Sequence, residues 1–267
     1  MTKFWRWLAM VTIFTAILAP IIPQVIWSFA FRWFFPDLLP SSWSFESWEY
    51  VFTDTSRVGE GLVNSFNIAI VTSLLAIVVG LPASRALALY QFRGKAVIEW
   101  LIMVPIIVPT LVVTMGIHIM FIRYRLTDTF MGVVLIHLIP CIPYMVLVMS
   151  SVFANYGTAL EDTARTLGAN RWQTFWYITL PAIFPGLLVA TMFTFLISWG
   201  QYVTTLLVGG GRIITLPLVL FPFISSPDHA TAAAISLVFV APAIFVLIFT
   251  SRSLSTESSV MGGFGRL

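Results

Sequence analysis

Six unbroken apolar runs, each about as long as a bilayer is thick, limit what this chain can become. The hydrocarbon core is about 30 Å deep, and a helix rising about 1.5 Å per residue needs about 20 apolar residues to cross it. Runs of that size lie at about Trp7–Phe29, Val63–Leu89, Val97–Phe121, Phe130–Ala154, Ala182–Val208 and Ala230–Thr250. None alternates as a strand with one wet face would, and an open sheet edge cannot satisfy its backbone groups in lipid. The expected fold class is an all-α integral membrane protein with six transmembrane helices. Composition agrees, since 59% of the 267 residues are hydrophobic and 9% charged, against about 25% charged in soluble domains.

Basic residues give the orientation. With an even number of spans both termini share a side, and that side carries Lys3, Arg6, Arg85, Arg93, Lys95, Arg165, Arg171, Arg252 and Arg266. The other side has Arg32, Arg57, Arg123, Arg125 and Arg212, together with the acids Asp37, Glu46, Glu49, Asp54, Glu60, Asp128 and Asp228. The bias places both termini in the cytoplasm. The net charge of +3 follows from this topology and does not point to nucleic acid.

The first run follows Lys3 and Arg6 as a signal peptide would, but it is longer than an ordinary h-region and no small-x-small site ends it, so a retained anchor is expected. The single cysteine, Cys141, excludes an intrachain disulfide and a Cys-based metal site, and reads as small apolar filler. The long segment after the first run is broken by Pro36 and Pro40. It carries Trp43, Phe45, Trp48, Tyr50 and Phe52, which suit a helix lying at the headgroup level.

One polar island, Thr158 to Pro181, interrupts the apolar sequence between the fourth and fifth runs. Thr158 followed by Glu161 fits a capping box, so a helix is expected over Ala159–Leu167. Gly168 stands where a left-handed residue would end it. Asn170 and Gln173 form a second N-terminal signature, with Trp172, Phe175, Trp176 and Ile178 on the helix that follows. The island reads as helix, glycine turn, helix. So short a first helix is marginal in water unless something packs on it.

These residues resemble a known family. Asp162-Thr163-Ala164-Arg165-Thr166-Leu167-Gly168-Ala169, then Phe175, Ile178 and Leu180-Pro181 at the matching spacing, resemble the EAA loop of permease subunits from binding-protein-dependent ABC importers. Asp162 stands where that family usually has Glu, and Thr163 where it has Ala. The acidic role is open to Asp162, to Glu161 or to both; the assignment adopted is Asp162 facing the partner and Glu161 as the cap. The resemblance implies a type I importer permease (MetI-like) core and makes the short helix, with Glu161, Asp162, Ala164, Arg165, Gly168 and Ala169, a cytoplasmic coupling helix seated in an ATPase subunit. It also implies a second permease subunit, two ATP-binding subunits that hold the ATP and Mg, and an external solute-binding protein. This chain would then need no cofactor, and would be a multi-pass protein of the bacterial inner membrane in contact with lipid. Either a heterodimeric or a homodimeric permease pair satisfies the motif.

Asn64-Ser65, Gly80-Leu81-Pro82-Ala83, Phe92-Arg93-Gly94-Lys95 and the Pro-rich third and fourth runs look like the spermidine/putrescine-type branch. The implied partition is a first span with its outer segment over 1–62, a permease core over 63–251 and a cytoplasmic tail over 252–267. Polyamine-type permeases commonly carry acids near the positions of Gly200 and Gln201, and here they are missing. A polycation would lack a carboxylate in a medium where unpaired charge is costly. Polyamine therefore stands beside zwitterions, phosphonates, sugar-like solutes and opines as cargo.

Candidate polar groups at membrane depth are His118, His137, Tyr144, Ser198, Trp199, Gln201 and Tyr202; of these His118, Tyr144, Trp199, Gln201 and Tyr202 are the candidate pathway lining. A lone histidine in a bundle more often bonds a neighbouring helix. Pro82, Pro105, Pro109, Pro140, Pro143 and Pro242 each remove a backbone hydrogen bond and bend or break a span. Gly209-Gly210-Gly211-Arg212 lacks the ending of a phosphate loop and reads as a sharp turn before a surface or re-entrant segment over 213–224. No HExxH, GxSxG or intramembrane carboxylate pair supports catalysis. Asp and Glu are absent from every span centre, which leaves an ion-coupled secondary transporter working through His118 and His137 as the alternative.

Overall fold

The computed structural model describes residues 3–33, 37 and 39–264, with the side chains of residues 3, 17, 32 and 254–264 set aside. Pro36 and Arg266 lie outside the described residues. The elements run α1 (Lys3–Leu18), α2 (Ile21–Ser28), β1 (Ala30–Arg32), β2 (Ser42–Trp43), α3 (Glu46–Val51), α4 (Val58–Leu89), α5 (Lys95–Ile107), α6 (Thr110–Arg123) and α7 (Phe130–Tyr156). After α8 (Ala159–Thr166) and α9 (Arg171–Thr174) comes a π turn (Phe175–Thr179), then α10 (Leu180–Trp199), α11 (Val203–Gly209), α12 (Leu216–Ile224) and α13 (His229–Phe264). The fold is helical as expected, apart from the small antiparallel β1–β2 ribbon.

Among the described residues, five helical stretches are long and apolar enough to span: Phe4–Ser28, Val58–Leu89, Phe130–Tyr156, Arg171–Trp199 and His229–Ser253. The third apolar run differs from a plain helix, because it breaks into α5 and α6 at an angle of 106°. The cause is local. Val108, forced away from the helical region by the proline after it, has ψ 133°, and Pro109 continues extended at ψ 128°. Six spans result if this bent pair counts as one. The fifth run is also redrawn: its helix starts at the island, runs without a stop through Pro181 and ends at Trp199, and Val203–Gly209 forms the separate α11.

Contacts divide the chain into two compact units, Met1–Val63 with Thr215–Pro242, and Asn64–Ile214 with Ala243–Leu267. In the first, α3 leaves Trp43, Phe45 and Phe52 exposed around it, and Leu216, Pro217, Val219 and Leu220 bury one side of α12. In the second, α7 is the central helix, burying Val133, Val134, Ile136, Met145, Met149 and Phe153 along its length. Its N-cap Thr129 accepts a hydrogen bond from the Gly132 amide at 3.0 Å. Met145, Met149 and Phe153 of α7 pack with Ala76 of α4 and with Ile183 and Ala190 of α10, and Cys141 fills this core. Gly186 of α10 lies against Val152, leaving no room for a β-carbon. Small residues of this kind let membrane helices approach closely.

Candidate functional site

The island folds as helix, glycine turn, helix, and its first turn differs from the expectation. Thr158 makes no side-chain cap bond. Its partner in the expected box, Glu161, turns inward instead and is 2% exposed. Arg85, at the end of α4, donates to Glu161 Oε2 at 2.5 Å. The Thr179 hydroxyl, in the π turn, donates to Oε1 at 2.7 Å, and Arg165 adds a longer contact to Oε2 at 3.5 Å. A buried carboxylate is tolerable only with such partners, and they outbid the exposed amide at the helix start. Glu161 is therefore not the cap.

Asp162, one position on, stays outside the buried cluster: its side chain is 63% exposed, with Arg165 at 3.9 Å and 49% exposed. The helix stops one residue earlier than expected, at Thr166. Gly168 takes φ +90°. Its amide bonds the Arg165 carbonyl at 2.9 Å and the Ala169 amide bonds the Ala164 carbonyl at 3.0 Å, the paired bonds of a Schellman ending. Ala164 and Ala169 are thus its two ends. Leu160 and Leu167 are exposed as well. Asn170 and Gln173 close a reciprocal capping box, with both bonds at 2.9 Å, as the sequence predicts.

Of the membrane-depth candidates, the structure brings His137 and Ser198 together. His118 lies half-buried on α6 and Tyr144 half-buried on α7. His137 is buried, with Nδ1 at 2.9 Å from Ser198 Oγ and Nε2 at 2.9 Å from Thr205 Oγ1, so it ties α7 to α10 and α11. Trp199 is 2% exposed and stacks on Phe195 with ring centroids 5.9 Å apart, packed inside its own chain. Gln201 and Tyr202 fall in the break between α10 and α11 and are half-buried. Gln201 Oε1 accepts from the Thr204 hydroxyl at 2.9 Å.

Sequence reasoning missed Arg85 as the partner of Glu161. The signal was there: an arginine near the end of a long apolar helix needs either an exit to water or a carboxylate. It also missed the tie from His137 to Thr205, although it expected a buried histidine to bond a neighbouring helix.

Comparisons with known proteins fit this architecture. The chain is 26% identical to the trehalose transport system permease protein SugB of Mycobacterium tuberculosis, over 84% of this chain and 85% of the relative. It is 26% identical to the sulfate transport system permease protein CysT of Escherichia coli, over 82% of this chain and 83% of that one. A crystal structure of a bacterial ABC transporter involved in the import of the acidic polysaccharide alginate contains a chain of the same fold, with a TM-score of 0.70 at 18% identity, covering 94% of this chain and 98% of that chain. The model of the family described as binding-protein-dependent transport system inner membrane component matches residues 75–255. With more than half of its length matched, this chain belongs to the family of binding-protein-dependent transport system inner membrane components.

Proposed function

We propose that this chain forms half of the solute pathway of an ATP-driven importer and couples to its ATPase through α8. The observation that carries the reading is the contrast in burial between two adjacent acids: Glu161 is held inward by Arg85 and Thr179, and Asp162 stands exposed at 63%, with Leu160 and Leu167 exposed as well. A short helix anchored from within, with an acid and a leucine exposed along it and a second exposed leucine at its end, suits insertion into a cleft on an ATP-binding subunit. Its Schellman ending at Gly168 sets the length of the inserted piece. The permease core is residues 63–251, with 1–62 as a first span and outer segment and 252–267 as a tail, and both termini face the cytoplasm.

The assembly we infer has a second permease subunit, two ATP-binding subunits and an external solute-binding protein. ATP hydrolysis then belongs to the partners. For the pathway, Gln201 and Tyr202 at the helix break, with Tyr144 and His118, are better placed than Trp199, whose indole is packed on Phe195. The branch is the spermidine/putrescine type by sequence layout. The cargo is a small polar organic solute, with polyamine, phosphonate and opine-like compounds as the classes to screen. The relatives named for trehalose and sulfate add sugars and oxyanions to that screen, and a site without acids beside Gln201 suits these better than a polycation. Ion coupling through histidines gains no support from His137, whose two ring nitrogens are already bonded.

Affinity purification in mild detergent tests the reading, with wild type beside Asp162→Lys. An ATPase and a second permease are expected with the wild type, and the ATPase is expected to be lost from the variant. If the wild type purifies alone, the importer assembly is wrong; if the variant keeps its ATPase, Asp162 is not the docking acid.

A further inference from the structure

The interior side of α8 points to a role for residues that touch neither solute nor ATPase. α8 packs on α9 and the π turn, and the bond from Arg85 to Glu161, 76 positions apart in sequence, ties it to α4. Glu161 is 2% exposed and Arg85 25%. The guanidinium also lies over the Phe153 ring of α7, 6.0 Å from its centroid. One carboxylate thus links α8 to α4 through Arg85 and to the start of the fifth span through Thr179.

We infer that Arg85 and Glu161 are positioning residues that lock α8 to α4 and to the π turn, so that a displacement of α8 moves the inner ends of these spans as one body. The inference rests on the coupling reading above and names the linkage inside it. Apolar side chains pack without fixing direction and can slide past one another. A charge-assisted bond between planar groups fixes distance and angle together. The π turn adds a reason for such a bond at this place. A helix with a wide turn has a local irregularity where bending concentrates, and Thr179 joins that turn to Glu161 directly. Two rigid-body elements connected through an irregular turn would lose step with each other without a cross-link at the junction.

The test uses the detergent-purified complex with its co-purifying ATPase, Cys141→Ala, and spin labels on cysteines placed at the exposed positions Val79 of α4 and Thr166 of α8. Label-to-label distances are recorded without nucleotide and with ATP trapped by vanadate. The expected result is one distance in both states for the otherwise unaltered protein, and a nucleotide-dependent shift in Arg85→Gln. Glu161→Gln, which keeps a group for Thr179, serves as a second loosened variant and is expected to shift as well. The reversed pair, Arg85→Glu with Glu161→Arg, is expected to recover the single distance. A pair that only props up the fold would broaden both states alike and leave no nucleotide-dependent difference, and that outcome overturns the inference. So does a nucleotide-dependent shift already present in the parent protein. Failure of the underlying coupling reading is read separately, from retention of the ATPase by Asp162→Lys.

Discussion

Two buried polar clusters sit in the same compact unit and solve the problem of polarity in lipid differently. Glu161 meets Arg85, Arg165 and Thr179 at the end of the bundle, where Arg85 remains 25% exposed and can keep part of its charge in water. His137 sits mid-helix with 1% exposure, between the hydroxyls of Ser198 and Thr205, and no charged group bonds it. Charge is placed where it can be partly hydrated, and neutral hydrogen bonds are placed where it cannot. The contrast also concerns what each cluster joins. The charged one gathers elements around α8, and the neutral one holds the break where Gln201 and Tyr202 lie.

If that contrast is sound, removing one partner should hurt far more at the charged cluster. Arg85→Met leaves the Glu161 carboxylate buried without its main partner. Breaking a buried pair costs about 3–5 kcal/mol, and the exposure of Arg85 puts this case near about 3 kcal/mol. The single cysteine is fully buried in the core, so a thiol-reactive dye reports unfolding in detergent without further engineering. The variant should unfold at a clearly lower temperature than wild type. A midpoint equal to wild type would mean that Glu161 is free to reach water, and the distinction between the clusters would fall.

At the neutral cluster, His137→Leu keeps apolar bulk and takes a partner from two hydroxyls. Each unpaired buried group costs about 1–3 kcal/mol, but Thr205 already bonds the Gln201 carbonyl at 3.1 Å, so a net loss of about 2 kcal/mol is expected. The same dye measurement decides it. A loss larger than that of Arg85→Met would reverse the ranking, and would make the helix break the more demanding feature of the unit.

The two clusters were legible in the sequence to different degrees, for a physical reason. A run of apolar residues announces a span by itself, and so the helical class and most spans could be read. At Pro109 a bend or break could be anticipated but not its size, because the 106° turn needs Val108 and Pro109 both extended. Local signals read well: Gly168 with φ +90° and the Asn170–Gln173 box depend on neighbours in the chain. Glu161 was misassigned because its capping signature is local and its actual partners are not. Arg85 and Thr179 come from other helices, and nothing at Thr158 reveals that a half-buried arginine competes for the same carboxylate. His137 was half legible, since a buried imidazole demands partners, but only the fold says which.

The local signals allow a milder test of the island. Gly168→Ala puts a β-carbon into open space, so any effect comes from the backbone, at about 1–2 kcal/mol for a left-handed residue. Gly168→Asn should recover part of it, since asparagine tolerates that conformation. Thermal midpoints by the dye assay should rank wild type, Asn and Ala in descending order. Equal midpoints for Asn and Ala would show that the Schellman ending frays freely, and α8 would then owe its position to the Glu161 cluster alone.

The smallest expected effect separates the island's two halves. Asn170→Ala removes the acceptor for the Gln173 amide, 2.9 Å away, and a lost N-cap of this kind costs about 0.5–2 kcal/mol. Because α9 runs on through the π turn into α10, the loss should be absorbed by fraying at residues 171–173 and should barely move the global midpoint. Hydrogen exchange reads it: the Gln173 amide should exchange faster, while the Thr179 amide keeps its protection. The Glu161 cluster holds Thr179 from the other side through the 2.7 Å bond, so protection there reports on the anchor independently of the cap. If Thr179 loosens together with Gln173, the cap and the charged cluster form one cooperative unit, and the inward anchoring of α8 depends on the whole island instead of on its buried ion pair.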